Sequence, residues 1–150
     1  MTLTEKQKEL IEKLGVRMEQ IGIAPAPARV SALLFVSDET ELTFDDIQHA
    51  LNLSKSSVSN AINLLLTMGQ IEYVTRPGER KRYFRSRVMN WQENMLNDIK
   101  ERLAFKDLMM EVLEQRPDST PEFNRHLREM IRFMEYLFKE IERLFENRPK

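Results

Sequence analysis

Apolar residues recur along most of this chain at helical spacing, in runs separated by residues that stop helices. In residues 2–21, Leu3, Leu10, Ile11, Leu14, Met18 and Ile21 follow a helical period among charged neighbours, which predicts an amphipathic helix closed by Gly22 and the Pro25, Pro27 pair. A second helix is predicted from the prolines to residue 37, because proline suits a first helical turn and Val30, Leu33, Leu34 and Phe35 supply an apolar face. Asp38, Glu39 and Thr40 read as the turn after it. Thr43 then makes a good N-cap, and Asp45 and Asp46 fall where the helix dipole favours acids, so residues 44–51 form a short third helix. Asn52 and Leu53 leave room only for a tight turn before Ser54 caps the next helix, residues 55–68, which Gly69 ends.

Beyond Gly69 the period changes. Residues 71–75 are β-branched and aromatic, Pro77 and Gly78 suit the two central positions of a type II turn, and residues 81–87 include Tyr83 and Phe84. Together they predict a two-stranded hairpin with its tip at residues 76–80. Helical spacing returns over residues 88–115 and breaks at residues 116–119. Ser119, with Glu122 three positions later, reads as a capping box opening a last helix that runs to about residue 147. Helix, short turn, helix and hairpin in that order make a winged helix-turn-helix, so the predicted fold class is mainly α with a short β-hairpin wing. Three segments are expected: an N-terminal helix over residues 1–22, the winged helix-turn-helix over residues 23–87, and a helical hairpin over residues 88–150.

Composition narrows the function. A chain of 150 residues, 41% hydrophobic and 31% charged, suits one compact domain with helical extensions and has no room for a second, catalytic domain. No run reaches the roughly 20 apolar residues that cross a bilayer, and the first residues lack the apolar stretch of a signal peptide. The expected location is the cytoplasm, with no membrane partner. Zero cysteines exclude disulfides, cysteine-based zinc sites and thiol switches. The formal net charge of -1 provides no general attraction to nucleic acid, but its distribution does. Between residues 75 and 87, six basic residues (Arg76, Arg80, Lys81, Arg82, Arg85 and Arg87) stand against Glu79 alone. Basic charge is therefore concentrated in the wing, and the remainder of the chain is net acidic.

The segment before the wing is two-faced. Val58, Ala61, Ile62 and Leu65 form an apolar stripe, while Ser56, Ser59, Asn60 and Asn63 repeat that spacing on the opposite face, with no acid and no bulky side chain. Short hydroxyls and amides approach base edges closely without repelling phosphates. Asn60 and Asn63 are the candidates for base contacts, since an amide can bond adenine N6 and N7 together. Ser56 and Ser59 suit base edges or phosphates. Lys55 suits a phosphate at the helix N-terminus, where Ser54 and Ser57 also lie. An ordinary solvated face is the alternative, but such faces are built of Glu and Lys. In the wing, Arg80 is the candidate for insertion into a narrow A·T-rich minor groove, with Arg76, Lys81 and Arg82 on phosphates. Ion pairing within the protein is the competing use, and it would claim Arg85 and Arg87 first.

In the last helix, Phe123, Leu127, Met130, Met134, Leu137, Ile141 and Leu144 are spaced alternately by four and three, as in a coiled-coil seam. Ile131, Phe138 and Phe145 widen it beyond what one partner helix covers. Residues 88–115 are expected to cover part and a second copy of the chain the rest, with a closed monomeric hairpin as the alternative. No catalytic residue, metal site or cofactor is predicted. His49 is expected beside core positions and His126 on a charged face, and the four glycines form no phosphate-cradling loop.

The stretch from Leu42 to Leu65, containing Ser54-Lys-Ser-Ser-Val-Ser59, followed by Arg76-Pro-Gly-Glu-Arg-Lys-Arg-Tyr-Phe84, resembles the GbsR branch of the MarR-type transcriptional regulators. The resemblance covers roughly residues 22–87. It implies a homodimer held by its N- and C-terminal helices, with Leu10 and Leu14 on the first and the 123–144 seam on the last. It also implies a pseudo-palindromic operator in double-stranded DNA, and repression. Some members respond to choline-like ligands, which implies a small-molecule effector; a quaternary ammonium needs an aromatic cage, to which Trp91, Phe105 and Tyr136 could contribute. A winged-helix module that binds a protein instead of DNA is the alternative function.

Overall fold

The computed structural model of the chain describes residues 2–147. In order, it contains α1 (Glu5–Gln20), α2 (Pro25–Val36), β1 (Leu42–Thr43), α3 (Phe44–Leu51), α4 (Lys55–Thr67), β2 (Ile71–Thr75), β3 (Arg82–Ser86), a 3-10 turn (Arg87–Asn90), α5 (Trp91–Gln115) and α6 (Pro121–Glu146). The chain divides into two compact units, Met1–Met89 and Asn90–Lys150. The outer ends of the expected segments 1–22 and 88–150, residue 1 and residues 148–150, lie outside the described residues.

In the first unit, side-chain caps start α1, α3 and α4, with α1 beginning at Glu5 rather than at residue 2, and Pro25 opens α2. The Thr4 hydroxyl accepts from the Gln7 backbone N–H at 3.1 Å, and the Gln7 side-chain oxygen accepts from the Thr4 N–H at 2.9 Å. Thr43 and Asp46 repeat this reciprocal box at α3, with distances of 3.2 and 2.9 Å. At the far end of α3, Asn52 takes the left-handed conformation, φ 49°, and so turns the chain directly into Ser54, the N-cap of α4. Val30, Leu33, Leu42, Ile47, Val58 and Leu65 are fully buried and form one core with Ile11, Ile62, Ile71 and Phe84. Each such aliphatic side chain contributes about 1.5–3 kcal/mol by leaving water. Phe35 does not join them. It is 52% exposed, because one position past Leu34 carries it off the buried stripe of α2.

α1 packs on α2 through Ile11 and at Gly15, where a Cβ would stand inside the Arg29 side chain. Arg29 is held in that place by Glu12, at 2.9 Å, and by Glu19. The sheet has a strand that sequence patterning does not predict. β1 pairs antiparallel with β3, Leu42 opposite Phe84 and Thr43 opposite Tyr83, and the strand order is β1-β3-β2. Two residues carry no periodicity, so only the pairing reveals the strand.

In the second unit, α5 and α6 pack antiparallel. Lys106 meets Glu135 at 3.0 Å, and Arg116, just after α5, meets Asn124 near the start of α6 at 2.7 Å. The Ser119–Glu122 capping box does not form. Pro121 takes the first helical position, which its fixed φ and missing N–H suit, and this makes Thr120 the N-cap with no side-chain cap bond. Arg116 organises the connection instead, donating to Thr120 Oγ1 at 3.0 Å and lying 4.1 Å from the Phe123 ring centroid. The predicted seam splits. Leu127 is buried and Met134 and Ile141 are half-buried, while Phe123, Met130, Leu137 and Leu144 are exposed. The stripe α6 actually hides is shifted around the helix and includes Ile131 and Phe138, with Phe145 half-buried beyond them.

Candidate nucleic-acid interface

α4 stands on the core through Val58, Ala61, Ile62 and Leu65, which leaves Lys55, Ser56, Ser59, Asn60 and Asn63 exposed. Among the described residues, the side chains of Ser59, Asn60 and Asn63 make no hydrogen bond. Ser54 and Ser57 are used locally. The Ser54 hydroxyl accepts from the Ser57 N–H at 3.1 Å and lies 2.8 Å from the Ser57 hydroxyl and 3.0 Å from that of Ser56. Contrary to the expectation of a face without bulky side chains, it also carries Leu64, one turn beyond Asn60 and 41% exposed.

The wing is built on the register Ile71 opposite Ser86 through Thr75 opposite Arg82. At its tip the Glu79 N–H donates to the Arg76 carbonyl at 3.1 Å, and Gly78 has φ +83°, the left-handed third position of a type II turn. Alternation along β3 then sorts the side chains. Phe84 and Ser86 are buried, with Arg82 in line with them at the open end; Tyr83 and Arg85 point to the other face.

On that other face, Arg85 donates to Glu72 at 2.7 Å and to Glu41 at 3.2 Å, and Arg76 donates to Glu41 at 3.0 Å. These bonds hold both guanidinium groups above their ordinary pKa, Arg76 through Glu41 and Arg85 mainly through Glu72. The Arg76 guanidinium also lies 3.9 Å from the centroid of Tyr83, whose hydroxyl donates to Glu79 at 2.6 Å. Arg87 donates to the Gly69 carbonyl at 3.2 Å. Ion pairing thus takes Arg85, as expected of the competing use, while Arg87 is held by a backbone carbonyl; ion pairing also takes Arg76, for which the sequence predicts a phosphate.

Arg80 and Lys81 have no ion-pair partner among the described residues, and Arg82 lies over Tyr73, 4.9 Å from its centroid. Lys81 and Arg82 join Ser59 and Asn63 around a groove of about 290 Å³ between α3, α4 and the wing. Phe44, Ile62, Leu66 and Phe84 line its apolar part, and Asp45 brings an acid to it that no reading of α4 alone could find.

The remaining candidates lie apart from this groove. Leu10 and Leu14 are exposed beside the buried Ile11 on α1. Trp91, Phe105 and Tyr136 are all exposed. Trp91 and Phe105 are fourteen positions apart on α5, about 21 Å along a helix axis, so within one chain a single cation does not meet both rings. His49 is exposed rather than set among core residues, its Nδ1 2.6 Å from the Asp45 carbonyl, and His126 lies 3.4 Å from Glu129. Among the described residues no group of three or more His, Asp or Glu could hold a metal ion, and no helix is long and apolar enough to cross a membrane.

Helix, turn, helix and hairpin on one core, with the β1 strand closing the sheet, settle the architecture. The fold is a winged helix-turn-helix. A solved crystal structure of a transcriptional regulator shares it, with a TM-score of 0.80 and 24% identity, covering 94% of this chain and 96% of that one. The chain is also similar to the HTH-type transcriptional regulator MmpR5 of Mycobacterium tuberculosis, 26% identical over 129 residues that span 86% of this chain and 78% of that protein. No family model matches the chain. Both similar proteins are transcriptional regulators.

Proposed function

We propose that this protein is a sequence-specific DNA-binding transcriptional regulator, with α4 in the major groove and the wing on phosphates and the adjacent minor groove. The observation that carries the reading is the groove where Ser59 and Asn63 meet Lys81 and Arg82. It sets amides and hydroxyls without hydrogen-bond partners, which suit base edges, beside cations without ion-pair partners among the described residues, which suit the sugar-phosphate strand between two grooves. Arg80 extends the cationic edge at the wing tip, and exposed Leu64 suits a thymine methyl. The similarity to MmpR5 supports the regulatory role, and the patterns at residues 54–59 and 76–84 support placement with the GbsR branch of the MarR-type regulators.

The working unit we propose is a homodimer that represses from an inverted-repeat operator in cytoplasmic DNA. Leu10 and Leu14 on α1, and Phe123, Met130, Leu137 and Leu144 on α6, expose apolar stripes of the kind a second copy covers. A two-fold dimer then engages two half-sites together, which one small reading head needs for specificity. A quaternary-ammonium cage that used both Trp91 and Phe105 would have to draw them from different copies. Selection of bound duplexes from a random pool tests the reading. The expected product is an inverted repeat with conserved half-site spacing, and recovery of no preferred sequence would overturn it.

A further inference from the structure

Glu41 stands where a DNA-binding surface has least use for an acid. It immediately precedes β1, and the register that pairs Leu42 with Phe84 sets it beside Arg85. Its carboxylate takes two arginines at once, Oε1 lying 3.2 Å from Arg85 Nη1 and Oε2 3.0 Å from Arg76 Nη2. Arg85 is closed from the other side by Glu72, its partner residue on β2, at 2.7 Å. Arg76 reaches Glu41 by lying across Tyr83, which in turn holds Glu79 of the wing turn. Contacts therefore run from Glu41 across β3 and β2 to the tip of the wing. β1 leads directly into α3, the first helix of the helix-turn-helix. Only two residue pairs tie β3 to β1, and the hairpin beyond Thr43 and Tyr83 is a two-stranded ribbon, the kind of element that twists most freely.

We propose that Glu41 is a positioning residue for DNA binding: by clasping Arg76 and Arg85 it holds the wing at the angle to α4 at which Arg80, Lys81 and Arg82 meet the duplex. The inference rests on the reading of the chain as a duplex-DNA binder and gives one of its acids an unusual sign. A carboxylate near phosphates ordinarily weakens binding, and one that merely masked two arginines would do so as well. Glu41 instead strengthens it.

Glu41→Gln keeps the side chain's shape and removes its charge. With the full chain and one duplex recovered by selection, the variant is expected to bind roughly three- to tenfold more weakly at fixed salt. Hydroxyl-radical protection of the minor groove under the wing should be lost, while protection of guanine N7 under α4 persists. Simple destabilisation would erode both footprints together, and that outcome would overturn the proposal. Arg76→Gln should weaken binding to a similar degree and add little to Glu41→Gln, because both act through one contact. Full additivity, or equal or tighter binding by Glu41→Gln, would also overturn it. A wild-type chain that binds no duplex removes the functional reading itself, before any variant is compared.

Discussion

On the proposed reading, Asn63 and Arg80 meet DNA through different physics, and their substitutions should separate cleanly. An amide discriminates among base edges, so Asn63→Ala is expected to relax base preference at one half-site position, where a good contact is worth about 1–3 kcal/mol. A guanidinium on the phosphate field does not discriminate. Arg80→Ala should weaken binding to all duplexes alike and lower the slope of log affinity against log salt by about 0.9 per protomer, as read by anisotropy titrations across a salt series. An unchanged slope would mean that Arg80 does not touch the duplex. Both residues were legible from the sequence, since exposure on a capped amphipathic helix and on a hairpin tip follows from local pattern. Arg76 was not. Its charge is visible in the sequence, but its partner Glu41 lies 35 residues away and meets it only because β1 joins the sheet.

Among the elements, α3 shows how a cap ties local chemistry to stability. Hydrogen bonds from the Thr43 hydroxyl, and secondarily from its backbone N–H, hold the Asp46 carboxyl below the usual carboxylate range. A depressed folded pKa stabilises the fold above the unfolded value, near about 3.9, and that contribution disappears as pH falls through the lower folded value. The wild-type melting midpoint should therefore lose this contribution only below about pH 4. Asp46→Asn is expected to cost about 1 kcal/mol at neutral pH and to converge on the wild type in acid, as measured by thermal melts from pH 7 to 2.5. A constant difference across that range would count against the cap. Caps at Thr43 and Ser54 were readable because a capping residue acts on its own next turn. The Ser119 box failed for an equally local reason, the proline at position 121.

At the scale of the whole molecule, the apolar stripes on α1 and α6 predict association. Light scattering should give twice the mass of one chain, and Leu137→Glu combined with Leu144→Glu should reduce that mass toward a single chain and weaken operator binding together. A dimer that survives both charges would remove α6 from the interface. Helix positions, the hairpin and its turn, the exposed polar face of α4 and the basic wing were determined by the sequence alone, because each depends on neighbours within about one turn or one hairpin. Tertiary structure decided which arginines remain available to a partner, that Asp45 reaches the groove between helix and wing, and which stripe of α6 stays exposed. Those outcomes depend on groups brought together from distant parts of the chain, and no local period records such meetings.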